Sequence, residues 1–257
     1  MSETQTAISN DVSRASDRDI ACLIARISAS ETLDERVRRI AQTVPGRIGF
    51  STSLGIEDQA ILHAIAACRA EIDIFTIDTG RLFAETLDVL AASERRYGLK
   101  IRVLVPADND VETVVQRDGV LGFRSSVAAR KACCHVRKVL PLRRGLANAA
   151  AWMTGLRREQ TAGRAGVPFA AWDAEHGVIK LNPIADWSLT QLKAYVADND
   201  IPVNDLHAKG FPSIGCQTCT RPIQPGEDIR AGRWWWEHED GKECGLHNNS
   251  KRRVGAR

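Results

Sequence analysis

Between residues 48 and 154 the chain alternates short apolar runs with amphipathic segments, and this alternation constrains the fold more than any other feature. Residues 48–52 read as a buried strand, and Gly55 opens a helix that carries Glu57 and Asp58 in its first turn and reaches about Cys68. The unit then repeats: 72–77 is strand-like, 82–97 is a helix closed by Gly98, and 101–105 is a third strand ended by Pro106. A helix is expected over 111–117, another from Ser126 past a cysteine pair to about Leu142, and a fourth strand over 150–154. Strands and helices joined by short connections predict an α/β fold, a parallel sheet flanked by helices on both faces.

The flanks behave differently. Apolar residues recur at Ile20, Leu23, Ile24 and Ile27, then at Leu33, Val37 and Ile40, so residues 1–45 are expected to add an N-terminal helical layer to the same domain. Residues 46–202 are expected to form the main α/β unit, with an edge strand at 178–181 and a helix over 189–197 capped by Ser188. Beyond Pro202 sustained periodicity stops, and 203–257 reads as an irregular tail, mobile near its end. A hydrophobic fraction of 44% in 257 residues supports a packed core and excludes global disorder.

The first twenty residues are polar and carry both signs of charge, and no apolar run approaches the ~20 residues of a membrane span. A cytoplasmic protein without a membrane partner is expected. A net charge of +3 suits small anions, and no basic stripe precedes Lys251-Arg252-Arg253, so nucleic acid is not an expected partner.

In an open parallel sheet, ligands sit beyond the carboxyl ends of the strands. Four loops fall there: Ser51-Thr-Ser-Leu-Gly-Ile-Glu-Asp58, Asp78-Thr-Gly-Arg81, the stretch after Pro106, and Gly155-Leu-Arg-Arg158 with Arg164 a turn further on. Hydroxyls, a glycine and a helix N-terminus in the first loop can cradle a phosphate or sulfate, although a plainly capped helix start writes the same letters. Taken together, the arginines beside glycines in the other loops favour ligand contact over surface ion pairs.

The seven cysteines carry the chemistry. Without a secretory signal, an odd set argues for metal or catalytic sulfur over a disulfide framework. Cys133-Cys134 and Cys216-Gln-Thr-Cys219 can complete an all-thiolate site, for one zinc or for a 4Fe-4S cluster. The adjacent pair tips the balance toward the cluster, because structural zinc sites favour cysteines spaced by two to four residues. A thioredoxin-like role for Cys216 and Cys219 requires a helix after the motif, which Arg221-Pro222 disfavours. Cys22 and Cys68 read as buried small hydrophobes on apolar helix faces. Cys244 stands alone in Lys242-Glu-Cys-Gly-Leu-His247, where nearby cations would favour a reactive thiolate.

These motifs, with Thr76-Ile-Asp-Thr-Gly-Arg81, Trp152-Met-Thr-Gly-Leu-Arg-Arg-Glu-Gln160 and Gly232-Arg-Trp-Trp-Trp-Glu237, occur in an order that resembles the assimilatory adenylyl-sulfate reductases, the iron-sulfur branch of the adenylyl-sulfate and phosphoadenylyl-sulfate reductases. The resemblance covers roughly residues 46–248. It implies an adenine nucleotide α-hydrolase-like (PP-loop) fold, a 4Fe-4S cluster on Cys133, Cys134, Cys216 and Cys219, and Cys244 as the nucleophile that becomes an enzyme thiosulfonate. It places Lys138, Arg230 and Arg233 at the phosphosulfate, with Arg157 and Arg164 as further contacts; Ser51, Ser53, Gly55 and His247 complete the expected binding set. It implies adenylyl sulfate as substrate, thioredoxin or a similar dithiol as electron donor, and a homo-oligomer at the family level. Ser53-Leu54-Gly55 replaces the double glycine of ATP pyrophosphatases, which counts against ATP cleavage. Two alternatives stand beside this reading: a reductase of the 3′-phosphorylated nucleotide, whose members generally lack the cluster cysteines, and a zinc-stabilised nucleotide-binding or RNA-thiolating protein.

Overall fold

The structure, a computed structural model, describes residues 16–237 and 245–246. Helices α1 (Asp17–Ser28) and α2 (Leu33–Thr43) precede the alternation β1 (Ile48–Thr52), α3 (Ile56–Cys68), β2 (Asp73–Ile77), α4 (Ala84–Tyr97), β3 (Arg102–Leu104) and α5 (Asp108–Asp118). Next come α6 (Val127–Cys134), a π-helical turn over His135–Val139, α7 (Leu140–Leu146), β4 (Ala151–Met153), β5 (Ala170–Asp173), β6 (Val178–Leu181) and α8 (Leu189–Asp198). The six-stranded sheet runs in the order β3-β2-β1-β4-β6-β5. Every pairing is parallel except that of β5 with β6.

Period-two alternation puts the two faces of the sheet into two cores. Ile48, Phe50, Ala151 and Met153 face α1, α2, α3 and α8, while Phe75 and Trp152 face Leu142 and Leu146 of α7. Each fully buried large apolar side chain contributes roughly 1.5–3 kcal/mol of burial free energy. Helix α7 lies close to the strands because Gly145 presents no side chain; a Cβ there would come within 2.5 Å of the Phe75 ring. Local signals set the ends: Ser188 caps α8 through the Gln191 amide, Ser126 caps α6 through the Ala129 amide, and Gly98 closes α4 at φ 62°.

The structure departs from the sequence reading in three places. Val178–Leu181 is an interior strand; the edge is β5, whose short Ala170-Ala-Trp-Asp173 run carries no alternation to read. Cys22 is exposed, because the buried stripe of α1 runs through Leu23 and Ile27 and Cys22 lies to one side of it. The expected continuous helix to Leu142 is interrupted by the π turn directly after Cys134. Among the described residues no helix is long and apolar enough to cross a membrane.

Candidate active site

A cleft of about 250 Å³ opens at the carboxyl edge of β1 and β4, where the strand order reverses. Ser51, Ser53, Gly55, Lys138, Arg157, Arg164, Arg230 and Arg233, eight of the expected binding residues, all line it. Cys244 and His247 lie outside the described residues; Leu246, between them in the chain, lines the cleft.

The loop after β1 forms one side. Leu54 adopts φ 61°, uncommon for a residue with a Cβ, and its amide donates to Thr52 Oγ1 at 3.0 Å. The Ser53 amide and hydroxyl both donate to Asp58 Oδ2, at 2.6 and 2.5 Å, and Trp152 Nε1 donates to Ser51 Oγ at 2.7 Å. These groups are satisfied within the protein. Burial pushes the Asp58 carboxyl up to about 6, against the pull of its Ser53 hydrogen bonds.

Arg157 and Arg164 line the cleft with guanidinium groups that the fold engages. Arg157 is 1% exposed, donates to Glu57 Oε1 at 3.0 Å and to the Trp187 carbonyl at 3.2 Å. Arg164 Nη1 donates to Gln160 Oε1 at 2.7 Å.

The opposite chemistry comes from the π turn and the segment before Trp234. Lys138 sits in the π turn, a helical irregularity that recurs at functional sites. Arg233 is buried, donates to the Ile214 carbonyl at 3.1 Å and lies 4.7 Å from the Trp234 ring centre. Trp234 takes φ 44°, and its amide donates to the Cys219 carbonyl at 3.1 Å.

Behind these cations the cysteines gather. Cys134, Cys216 and Cys219 are buried with Phe123 and Trp234, and Cys133 packs against the same group. All four are free thiols. Burial pushes Cys133 up, eased by Arg81 and Arg137, and pushes Cys219 up, reinforced by Cys216. Burial also raises Cys216, but Lys138, the Thr79 hydroxyl, Arg233 and Arg81 outweigh it and leave that thiol lowered. Among the described residues no three His, Cys, Asp or Glu side chains stand close enough to share a single metal ion.

Sequence reasoning had sent Asp78-Thr-Gly-Arg81 to the ligand; the fold sends most of it to the cysteines. Thr79 Oγ1 lies 3.3 Å from Cys216 Sγ, Arg137 Nη1 donates to the Thr79 carbonyl at 2.6 Å, and the Gln217 amide donates to the Arg81 carbonyl at 2.8 Å. Arg81 lies 4.6 Å from the centre of the Phe123 ring, itself part of the cysteine core. The stretch after Pro106 becomes α5, which supplies no lining residue to the cleft and instead borders a small cavity beside Cys133. Another group without a sequence signal is the buried pair of Arg130 and Glu237, with Nε to Oε1 at 2.6 Å and Nη2 to Oε2 at 3.0 Å. Arg130 sits on α6, four residues before Cys134, and also lies 4.5 Å from the Trp234 ring centre, so this pair ties the Trp234 segment to the cysteine helix.

A nucleotide-sized cleft at the switch point of a parallel sheet, with cations between it and a thiol cluster, defines a nucleotide-binding protein of sulfur chemistry. Residues 47–222 match the family described as the phosphoadenosine phosphosulfate reductase domain. The chain belongs to that family. It is 54% identical over 202 residues to an adenosine 5'-phosphosulfate reductase of Agrobacterium fabrum, covering 79% of this chain and 78% of the relative. It is 50% identical over 219 residues to an adenosine 5'-phosphosulfate reductase of Neisseria meningitidis, covering 85% and 89%. Among solved structures, a phosphoadenylyl-sulfate reductase from Candida auris in complex with phosphate superposes with a TM-score of 0.67 at 25% identity, over 79% of this chain and 96% of that one.

Proposed function

We propose that this protein is an oxidoreductase of sulfate assimilation that reduces adenylyl sulfate to sulfite and AMP. The observation that carries the reading is the cationic side of the cleft: Lys138, Arg230 and Arg233 line it together with Leu246, two residues beyond Cys244. Relatives at about half identity bear the same activity in their names.

In this mechanism the nucleotide occupies the cleft with its phosphosulfate toward Lys138, Arg230 and Arg233. The Cys244 thiolate attacks the sulfur, an S–S bond forms, the sulfur–oxygen bond to phosphate breaks, and AMP leaves with the electron pair. The cations stabilise charge that builds on the departing phosphate oxygen, and His247 adds a donor to the same binding set. A thiolate of a dithiol donor such as thioredoxin then attacks the Cys244 sulfur, sulfite departs, and the donor's second thiol closes its disulfide. Two thiols are oxidised to a disulfide as the substrate sulfur gains two electrons. Such a donor is kept reduced in the cytoplasm, where we place the protein.

Cys133, Cys134, Cys216 and Cys219 would hold a 4Fe-4S cluster. A lone tetrahedral zinc with bonds of ~2.3 Å needs thiolates about 3.8 Å apart, whereas a cubane spreads its four thiolates over different irons. Cys134, Cys216 and Cys219 are buried together with Cys133 packed against them, a gathering that supports the cubane reading. The buried donors Arg81 Nη1, Arg233 Nε and Trp236 Nε1, without hydrogen-bond partners among the described residues, suit the acceptor sulfurs of such a group. When bound, the cluster would supply fixed negative charge that orients Lys138 and Arg233, while the electrons come from thiols.

Intact-protein mass spectrometry after anaerobic incubation with adenylyl sulfate, without thioredoxin, tests the reading. One sulfonate added to the wild type, absent from Cys244→Ser and removed by reduced thioredoxin, is the expected result. No adduct on cluster-intact protein, with this nucleotide or its 3′-phosphorylated form, overturns it. Iron and acid-labile sulfide in the purified protein, with no stoichiometric zinc, separate it from the zinc-stabilised alternative.

A further inference from the structure

A cleft lined by cations and hydroxyls also holds one apolar contact that binding an anion does not explain. Leu246 lines the cleft and packs against the core cluster of Phe75, Leu142, Leu146 and Trp152. Leu142, Trp152 and Ile77 line the cleft as well, so this cluster reaches the cleft as an apolar patch, and Leu246, itself only partly buried, covers it. The residue before it makes the approach possible. Gly245 takes φ 89°, a conformation that side chains rarely adopt, and a Cβ built on it would lie 3.8 Å from Val139 Cγ2. Val139 follows Lys138 in the π turn, and Leu142 comes three residues later. The chain thus turns at Gly245 against the π turn and sets Leu246 onto the patch.

We propose that Leu246 is a positioning residue for the reaction: seated on the patch of Ile77, Leu142 and Trp152, it holds Cys244 at the π turn that carries Lys138. The inference rests on the reading of Cys244 as the nucleophile and adds what places it. A peptide bond keeps the Cα atoms of Cys244 and Gly245 about 3.8 Å apart, so a contact that fixes Gly245 and Leu246 fixes the base of the nucleophile. The same segment starts from Glu237, which Arg130 holds, and Leu246 supplies the second hold nine residues later. One partly buried leucine shifts the ratio of seated to unseated chain by about tenfold. That strength suits two tasks in sequence: the thiolate must be seated to attack adenylyl sulfate, and its sulfonated sulfur must then be released to the dithiol donor.

The test measures the two half-reactions separately on cluster-intact protein, in wild type, Leu246→Ala and Leu246→Met. Rapid-quench mass spectrometry with saturating adenylyl sulfate gives the rate of sulfonate transfer to Cys244, and sulfite release from the isolated thiosulfonate by reduced thioredoxin gives the second rate. If transfer follows the seated fraction and release the unseated one, the quotient of the two rates follows the seating ratio itself, whatever its starting value. Leu246→Ala should therefore lower that quotient about tenfold, and Leu246→Met, which conserves volume, should keep it within about twofold. Circular dichroism and the cluster absorbance check the variants; if the alanine variant does not fold, Leu246→Val is read in its place, with a drop of about threefold. A folded variant whose two rates fall together, or do not change, overturns the inference and leaves the active-site reading intact. A wild type that takes no sulfonate overturns that reading itself.

Discussion

The two sides of the cleft are built on opposite plans. The loop side, Ser51 to Asp58, is self-satisfied: its hydroxyls, amides and carboxylates bond to one another or to Trp152, Gly155 and Arg157, on β4 and the loop after it. The other side assembles Lys138 from the π turn and Arg230 and Arg233 from a segment about ninety residues later. It depends on a buried ion pair between Arg130 and Glu237, 107 positions apart. The difference teaches where charge recognition can reside. Donors already paired inside a loop have little left for an anion, whereas cations held against thiols and aromatic rings keep their charge directed at the cleft.

The sharpest way to break the second plan is Glu237→Ala, which removes the carboxylate paired with the buried Arg130 guanidinium. A loss of roughly 3–5 kcal/mol of stability is expected, read as a lower denaturant midpoint in the cluster-intact protein. Next, Arg233→Ala should lower kcat/KM for adenylyl sulfate by about 10²–10³-fold through lost transition-state stabilisation, while Arg233→Lys recovers only part of it. A loss confined to KM would move Arg233 from the reacting phosphosulfate to plain binding.

The loop side answers to pH. Burial raises Asp58 from 3.8 to about 6, so its protonated form is favoured in the fold, and the stability it contributes is complete below 3.8 and lost as pH rises through about 6. That shift corresponds to about 3 kcal/mol. Asp58→Asn, which does not titrate, should therefore gain stability relative to the wild type by up to that amount between pH 4 and pH 7; parallel stability profiles would show that the carboxyl is not strained by burial. The smallest effect belongs to Ser51→Ala, which removes the acceptor for Trp152 Nε1 and should cost about 1 kcal/mol with a modest rise in KM.

Legibility in the sequence followed the range of the interaction. The bounds of β1 were readable because an apolar run lies between a glycine turn and a helix start, and the cap at Ser188 because its signal is four residues long. The eight expected contacts that line the cleft were reached through motif order, yet their commitments were not readable. Nothing local distinguishes Arg157, engaged by Glu57 and Trp187, from Arg233, or directs Thr79 and Arg81 toward Cys216. The π turn was hidden for a related reason: its residues read as ordinary helix, and its altered hydrogen-bond register coincides with packing of Val136 and Val139 in the interior.

By itself, then, the sequence determined the alternating elements, the pairs of cysteines and the stock of cations, because periodicity, caps and residue chemistry act over a few positions. Tertiary structure decided the rest. It brought residues 216–219 beside 133–134, turned the Ser53 donors onto Asp58, and set Lys138 and Arg233 between the thiols and the cleft. Those choices are competitions among buried polar groups for a limited set of partners, and such a competition has an outcome only once distant segments share the same low-dielectric space.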